Sequence, residues 1–460
     1  MTYTDTLQFG QVGTHEALSA LNLLARVKPP PVSGGLPLGF TFDGEPFFFN
    51  PLQYHRDEIT GGTSMLVLGS RGSGKTTLLK TAAAYESLLD NRATGQRQRI
   101  SVDDTRSNLG SEDRREAEWR SFIEDYLGSS HTSLSGYKLN ILDPKMKLNV
   151  EQQLAILQTL CQIVEDRKLT SSERVALIVG LGVLDATAPE AASPVLLQQV
   201  IDTLDYQKYQ QFQDRIRDQL LDKFTSLSQR QAANRLLEGR RNMSSEKFSE
   251  ACSTISEILL LLIEEYDGIF GAEHSLHEKL SAPVVGLDFT QLSESTIPLV
   301  EVVVNAWRDS ALSRDDFSLT TNCELHDENW SRWESLPYAR AMITRLKHIR
   351  GTGTRIWRAM HRPGDVEQVG SEGSKVRELA RNSLRETDVV FVGRMPKAQH
   401  ESLRVFRDIP DNILGRLPGL GKGQFLVLIG DNWPPFFVQV MLDERLLEAS
   451  YTDSARDRQL

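Results

Sequence analysis

Residues 69–76 read Gly-Ser-Arg-Gly-Ser-Gly-Lys-Thr and constrain the fold more than any other segment of the chain. They satisfy the pattern G-x-x-x-x-G-K-S/T. An apolar run from Met65 to Leu68 precedes them and is bounded by glycines, which is typical of a buried strand. Residues 76–84, which follow, are rich in helix formers. A strand, a glycine loop and a helix in this order predict a phosphate-binding loop within an α/β fold.

The residue types of this loop predict how it holds a triphosphate. Glycines let successive backbone N–H groups curl around phosphate oxygens, and the helix N-terminus adds the positive end of its dipole. We expect Lys75 to reach the β- and γ-phosphates and the Thr76 hydroxyl to ligate Mg²⁺, so that ATP and Mg²⁺ are the expected ligands. The expected nucleotide-binding residues are Gly69, Ser70, Arg71, Gly72, Ser73, Gly74, Lys75, Thr76 and Thr77.

The rest of the chain alternates strand-like and helix-like segments. Strands are predicted at residues 99–102, 137–142, 284–289, 321–325, 355–360, 388–392 and 424–429. A hairpin is predicted at residues 39–49, turning at Asp43 and Gly44. The polar segment 105–135 is expected to be a surface excursion. Strands that alternate with helices imply right-handed crossovers and a mainly parallel sheet.

Residues 149–269 differ from the segments on either side. Apolar residues recur there at helical spacing, and few prolines or glycines interrupt the pattern. We therefore predict an all-α insert at 149–269 within a discontinuous α/β domain of residues 36–148 and 270–445. Residues 1–35 are expected to form an N-terminal arm or linker, and residues 446–460 a C-terminal tail.

Composition limits the class of protein. The 460 residues carry a formal net charge of −10, which argues against a protein that coats nucleic acid with its whole surface. The three cysteines are widely spaced, which argues against a disulfide framework or a cysteine zinc site. The first residues lack the features of a secretory signal, and the longest apolar run, 258–263, is far too short to span a bilayer. We expect a cytoplasmic protein without a transmembrane segment, able to attach at the inner face of the cell membrane.

A triphosphate-hydrolysing site needs acidic residues besides the loop. One acid holds the Mg²⁺ shell, and a second polarises the attacking water. We assign these roles to Asp327, as a metal ligand, and to Glu328, as a catalytic residue. The predicted strand before them is unusually polar, so a solvated acidic turn is the alternative interpretation. Asp288 is a rival, since it follows a cleaner apolar strand but has no paired glutamate.

A basic run occupies residues 340–362, which contain no acidic residue. One interpretation is an arginine finger that reaches the γ-phosphate of a neighbouring subunit. A second is a surface that contacts DNA phosphates, and a third is a solvated basic helix face. The basic residues are Arg340, Arg345, Lys347, Arg350, Arg355, Arg358 and Arg362.

His361 follows the strand predicted at residues 355–360. From that position its imidazole could hydrogen-bond the γ-phosphate and report its presence to the adjacent loop. A purely structural histidine is the alternative interpretation.

In this order the motifs resemble the motor domain of the HerA–FtsK clade, and within it the conjugation and type IV secretion ATPases. Four features carry the resemblance, which covers about residues 36–445. They are Phe-Phe-Phe-Asn-Pro at 47–51 with the loop at 69–76; Leu-Asn-Ile-Leu-Asp-Pro at 139–144 followed by a helical insert with Leu-Thr-Ser-Ser-Glu-Arg at 169–174; Asp-Glu-Asn-Trp at 327–330; and Arg-Gly-Thr-Gly at 350–353 with His-Arg-Pro at 361–363.

The resemblance implies a RecA-like α/β P-loop fold and a hexameric ring, without the large N-terminal domain that many secretion ATPases carry. By the same match, Arg350 is the finger candidate, and His361 stands where the family has a sensor glutamine. The implied function is an ATP-hydrolysing motor of type IV secretion or conjugative transfer. It would move DNA or protein together with membrane-embedded secretion components. Alternatives are a free double-stranded DNA translocase and a nucleotide-binding assembly factor with little turnover.

Overall fold

Short apolar runs that end in glycine or aspartate form the centre of the fold. The computed structural model describes residues 27–88, 98–105, 107–108, 116–135, 139–143, 148–187, 197–207, 210–211, 214, 244–266, 269–270, 282–312, 321–327, 333–348, 352–406 and 408–450. The strands are β1 (Leu36–Thr41), β2 (Pro46–Phe49), β3 (Ser64–Leu68), β4 (Gln98–Asp104), β5 (Ser107–Asn108), β6 (Glu116–Ala117), β7 (Ser130–Ser133), β8 (Val284–Asp288), β9 (Thr321–Asp327), β10 (Arg355–Met360), β11 (Val389–Val392), β12 (Gln424–Ile429) and β13 (Phe436–Val440).

The helices lie between these strands, as the alternating pattern predicts. They are α1 (Pro51–Arg56), α2 (Lys75–Leu88), α3 (Val150–Val164), α4 (Ser171–Thr187), α5 (Leu197–Asp202), α6 (Ser245–Glu264), α7 (Ile297–Leu312), α8 (Leu336–His348), α9 (Lys375–Arg385), α10 (Asp411–Leu414) and α11 (Glu444–Ala449). A short π-helix, Phe122–Tyr126, follows β6.

Within the described residues, eleven strands form one sheet in the order β2-β1-β13-β12-β11-β3-β10-β9-β4-β8-β7. The strands from β11 to β7 in that order pair in parallel. The hairpin β1–β2 and the strands β12 and β13 extend the sheet with antiparallel pairs. The mainly parallel α/β sheet that the sequence predicts is therefore confirmed.

Alternate residues of β3 show why its sequence is continuously apolar. Met65 and Val67 pack in a cluster with Leu78, Leu79 and other residues of α2 on one face of the sheet. On the other face, the intervening leucines of β3 pack with residues of α8 and α9. Because both faces are covered, every residue of β3 is buried.

The described part of the predicted insert, residues 149–269, contains only helices as regular structure. Apolar residues of α3, α4, α5 and α6 form one cluster with α7 and with β8. A capping box starts α3, in which Asn149 Oδ1 accepts from the Gln152 N–H and Gln152 Oε1 accepts from the Asn149 N–H. The domain boundaries themselves stay a prediction.

Two local predictions are wrong. Residues 139–142 do not form a strand, because the Asn140 side chain accepts the Leu142 N–H at 2.9 Å and closes a turn. The edge strand next to β8 is β7, which lies within segment 105–135 that was predicted to be a surface excursion. That segment, where described, also buries the side chains of Trp119, Phe122 and Ile123 in the main core.

Candidate functional site

The glycine loop connects β3 to α2 at the carboxyl end of the parallel strands. Gly74 has a φ of +98°, and a Cβ atom built on it would lie 3.0 Å from the Gly423 backbone nitrogen. Only glycine fits this position, since a side chain would be strained and would also press on the neighbouring loop. The Gly423 N–H donates to Ser73 O at 3.0 Å, so the loop before β12 braces the phosphate-binding loop.

Lys75, the first residue of α2, points back across the loop. Its Nζ donates to Gly69 O at 2.9 Å and lies 3.1 Å from His361 Nδ1. Lys75 is 6% exposed, and Ser73 Oγ beside it is buried with no hydrogen-bond partner among the described residues. A loop with positive-φ glycines and a buried lysine at the start of a helix fits the phosphates of a nucleoside triphosphate.

Thr76 and Asp327 meet at the other side of the loop. The Thr76 hydroxyl donates to Asp327 Oδ2 at 3.0 Å. Asp327 is the last residue of β9 and is 1% exposed. Hydroxyl and carboxylate oxygens are ligands that Mg²⁺ prefers, so this pair fits the expected metal ligands.

The order of strands brings these residues together. The loop follows β3, His361 follows β10 and Asp327 ends β9, and these three strands are neighbours. Asp288 ends β8, which is separated from β3 by β10, β9 and β4. Its Oδ1 accepts two hydrogen bonds from Thr290 instead. Of the two rival aspartates, the structure therefore places Asp327 beside the loop.

The polar character of β9 results from a buried ionic network on one face of the strand. Glu324 accepts two hydrogen bonds from Arg345 of α8, at 2.7 and 2.9 Å. Burial opposes the charge on Glu324, but Arg345, His326 and Arg308 together outweigh it and hold the pKa of that carboxyl below its ordinary value. Cys323 and Leu325 face the opposite, apolar side. The acidic end of β9 is thus part of a buried strand, and the interpretation as a solvated turn is wrong for Asp327.

His326 belongs to the same network. Its Nδ1 lies 2.8 Å from Asp103 Oδ2 of β4, and Asp103 also pairs with Arg308 of α7. Burial lowers the pKa of His326, but the carboxylates of Asp103 and Glu324 together outweigh burial and raise it above its ordinary value. Glu301 also lies close to Asp103 and His326. The Arg308 guanidinium supplies positive charge there through its ion pair with Asp103, so we assign this cluster a structural role.

The basic run at residues 340–362 is not a surface that could contact DNA along its length. Arg345 is buried in the network above, and Arg355 is buried against Glu86 of α2. Arg358 is buried as well; it donates to Ser383 O and Thr387 Oγ1, and burial lowers its pKa to about 10. For these three arginines both surface interpretations are wrong.

Two predicted catalytic residues, Glu328 and Arg350, lie outside the described residues. Their roles stay predictions. His361, by contrast, is described, and its contact with Lys75 places it at the end of the site where the lysine acts. Arg71 is exposed on the loop, whereas the Ser70 N–H donates to Arg394 O, two residues after the end of β11, at 2.9 Å.

Three residues near the site were missed by sequence reasoning. Trp119 lies with its indole Nε1 3.4 Å from Asp327 Oδ2, and Thr105 Oγ1 donates to Asp327 O. Lys80 of α2 is buried beside Trp119; burial lowers its pKa, against the raising effect of nearby acids. The helical spacing of the apolar residues at 119, 122 and 123 is the signal that could have indicated a buried segment.

Within the described residues, none of the helices is both long and apolar enough to cross a lipid bilayer.

Comparison with known proteins supports the fold. No family model matches the chain, and no curated protein matches it by sequence. The structure is similar to that of VirB4 of Thermoanaerobacter pseudethanolicus, with a TM-score of 0.61 and 13% identity over 91% of this chain and 100% of that chain. It is also similar to the bacterial conjugative coupling protein TrwBdeltaN70 in its unbound monoclinic form, with a TM-score of 0.48 and 15% identity over 93% and 92% of the two chains. The likeness to VirB4 shows that the chain has the α/β P-loop fold implied by its resemblance to the HerA–FtsK clade.

Proposed function

We propose that the chain is an ATP-hydrolysing motor subunit of a type IV secretion or conjugative transfer system. The observation that carries the proposal is the contact between Thr76 Oγ1 and Asp327 Oδ2 at 3.0 Å, next to a buried Lys75. A Mg²⁺-dependent triphosphatase site has two halves, a loop that binds the phosphates and an aspartate at a strand end that helps to hold the metal. Here the hydroxyl of Thr76 connects the loop to Asp327.

Each half has its own task in this proposal. Lys75 leaves Gly69 O and binds the β- and γ-phosphates, while the backbone N–H groups of the loop hold their remaining oxygens. Thr76 and Asp327 would hold Mg²⁺, which when bound neutralises charge on the phosphate oxygens. Glu328 would accept the proton of the attacking water.

His361 senses the nucleotide in this scheme. Its Nδ1 lies 3.1 Å from Lys75 Nζ, so a movement of the lysine toward phosphate changes the imidazole's hydrogen bond. His361 directly precedes Arg362. The Arg362 guanidinium donates to Asp365 at 2.8 Å, at the start of the short 3-10 helix Pro363–Gln368. A change in the hydrogen bond of His361 can therefore alter the Arg362–Asp365 contact and, through it, the position of the helix at Pro363–Gln368.

Arg350 would act on a neighbouring subunit, which requires an oligomer, and a hexameric ring is the form we propose. Turnover at the subunit boundaries would move loops in a central channel and drive DNA or protein through it. The resemblance of the motifs and the fold shared with VirB4 support this role. The proposed location is the cytoplasm, at the inner face of the membrane beside embedded secretion components.

Steady-state ATP turnover with and without duplex DNA tests the proposal. We expect turnover that Lys75→Ala abolishes, together with six-fold rings in particle images recorded with a non-hydrolysable ATP analogue. Arg350→Ala should abolish turnover and leave nucleotide binding intact. Loss of binding in that variant would contradict action on a neighbour.

The alternatives give different outcomes. Strong stimulation by DNA that falls steeply with salt would favour a double-stranded DNA translocase over a protein-secretion motor. Tight ATP binding with no turnover above Lys75→Ala would favour a nucleotide-binding assembly factor.

A further inference from the structure

Trp119 lies beside the metal half of the site, between β6 and the π-helix. Its backbone N–H donates to Asp104 Oδ2 at 2.7 Å, which holds the residue at the carboxyl end of β4. β4 and β9 pair in parallel with Asp103 opposite His326. The next residue on each strand, Asp104 and Asp327, therefore lies at the same edge of the sheet, and Trp119 lies against both.

The Trp119 indole contacts the same carboxylate oxygen as Thr76. Its Nε1 donates to Asp327 Oδ2 at 3.4 Å, and Thr76 Oγ1 donates to that oxygen at 3.0 Å. Trp119 is fully buried, so its N–H cannot donate to water. Thr105 Oγ1 donates to the Asp327 backbone oxygen at 2.5 Å. The segment after β4 thus holds Asp327 at both its side chain and its main chain.

Lys80 fixes the indole relative to the helix that carries the phosphate-binding residues. Its Nζ lies 5.6 Å from the centre of the Trp119 ring and 5.4 Å from that of Phe122. The same ammonium donates to Glu118 O at 3.2 Å. Lys80 follows Thr76 by one helical turn, so α2 contacts Asp327 directly through Thr76 and indirectly through the Trp119 ring.

We propose that Trp119 is a positioning residue, whose indole N–H orients the Asp327 carboxylate toward the Thr76 hydroxyl for Mg²⁺ binding. This inference rests on the proposed function. A hydroxyl can donate its proton to a carboxylate and still offer a lone pair to a cation, so the Thr76–Asp327 contact is compatible with a bound metal. Hydrogen bonds that orient the groups around a metal typically raise its affinity about 10-fold or more.

The substitution Trp119→Phe tests the N–H while keeping an aromatic ring against Lys80 and Phe122. The measurement is equilibrium binding of a non-hydrolysable ATP analogue to the full chain, in EDTA and across a Mg²⁺ titration. We expect affinity in EDTA equal to that of the wild type. The Mg²⁺ midpoint, which is the Mg²⁺ concentration that gives half of the gain in affinity, should rise about tenfold.

Trp357→Phe is the matched control. Trp357 is fully buried in β10, and its indole N–H has no hydrogen-bond partner among the described residues. This variant should keep the wild-type Mg²⁺ dependence. Trp119→Leu is a second variant that also removes the indole N–H. It should raise the Mg²⁺ midpoint as well, and it decides the question if Trp119→Phe does not fold.

An unchanged Mg²⁺ midpoint in Trp119→Phe overturns the inference, as does an equal loss of affinity with and without Mg²⁺. An unchanged midpoint in Trp119→Leu does so where that variant decides. If Mg²⁺ does not raise the affinity of the wild type, the proposed function fails and the inference fails with it. A Mg²⁺-dependent wild type beside an unshifted Trp119→Phe overturns the inference alone.

Discussion

Arg355, the first residue of β10, and Glu86, in the last turn of α2, form a fully buried ion pair. Arg355 Nε and Nη2 each donate to one carboxylate oxygen of Glu86 at 2.9 Å. The pair joins the helix that starts at Lys75 to the strand that ends before His361. These are the two elements whose ends meet at the Lys75–His361 contact.

Breaking this pair should destabilise the protein strongly. Arg355→Met leaves the Glu86 carboxylate buried without its partner, and we expect a loss of about 3–5 kcal/mol in the free energy of unfolding. Chemical denaturation measures it. The double variant Glu86→Leu with Arg355→Met should lose less than the sum of the single losses. An exposed pair, Lys375 with Glu378 at 2.8 Å, is the control, and Lys375→Met should cost at most about 1 kcal/mol.

The loop glycines allow a second prediction. Gly74→Ala should lower the affinity for an ATP analogue about tenfold or more, because about 1–3 kcal/mol of local strain falls on the binding loop and the Gly423 backbone is pushed away. Isothermal titration measures this affinity.

Gly44 gives a matched control for that variant. It also has a positive φ, +86°, but lies in the β1–β2 hairpin with open space around its would-be Cβ. Gly44→Ala should cost about 1–2 kcal/mol of stability and leave nucleotide affinity unchanged. Equal affinities of the two variants would contradict the role we give Gly74.

A third prediction concerns pH and the helical insert. Glu173 accepts two hydrogen bonds of 2.8 Å from Arg167 and one of 2.7 Å from the Thr170 N–H at the start of α4. Hydrogen bonding from Arg167 is the largest cause that holds the pKa of Glu173 below its ordinary value. A lowered folded-state pKa means that this stabilisation is present above the unfolded pKa and is lost as pH falls through the folded one.

Glu173→Gln should therefore lose about 1–2 kcal/mol of stability at pH 7, an amount reduced by the partial exposure of Arg167. Denaturation at a series of pH values should show the difference from the wild type shrinking below pH 4.5, the ordinary glutamate pKa. Glu264→Gln, an exposed glutamate of α6, should show little difference at any pH. A Glu173→Gln deficit that is constant down to low pH would contradict this account.

The site could be predicted where chemistry depends on residues close together in the chain. The bounds of β10 and β12 and the whole phosphate-binding unit follow from local patterns, because an apolar strand, a glycine loop and a helix each leave a short-range signal. The place of Asp327 at a strand end also predicted its position in the site, although the sequence of β9 is unusually polar for a buried strand.

What sequence reasoning missed depends on partners distant in the chain. Glu324 and Arg355 look like surface residues until Arg345 and Glu86 are placed against them, because burial of a charge depends on its partner. Trp119 lies in a polar segment whose burial is decided by contacts with Lys80 and Asp327. The turn at Asn140 shows the reverse case, in which one side-chain hydrogen bond overrides an apolar run.

The central claim is that the loop and Asp327 form one Mg²⁺-dependent site, and ATP turnover by matched aspartate variants tests it most directly. Asp327→Asn should lower the steady-state rate at saturating MgATP by about a hundredfold or more, since several kcal/mol of charge stabilisation depend on this ligand. Asp288→Asn, at the end of β8, should keep the wild-type rate. Full turnover in Asp327→Asn, or loss of turnover in Asp288→Asn instead, would contradict the account.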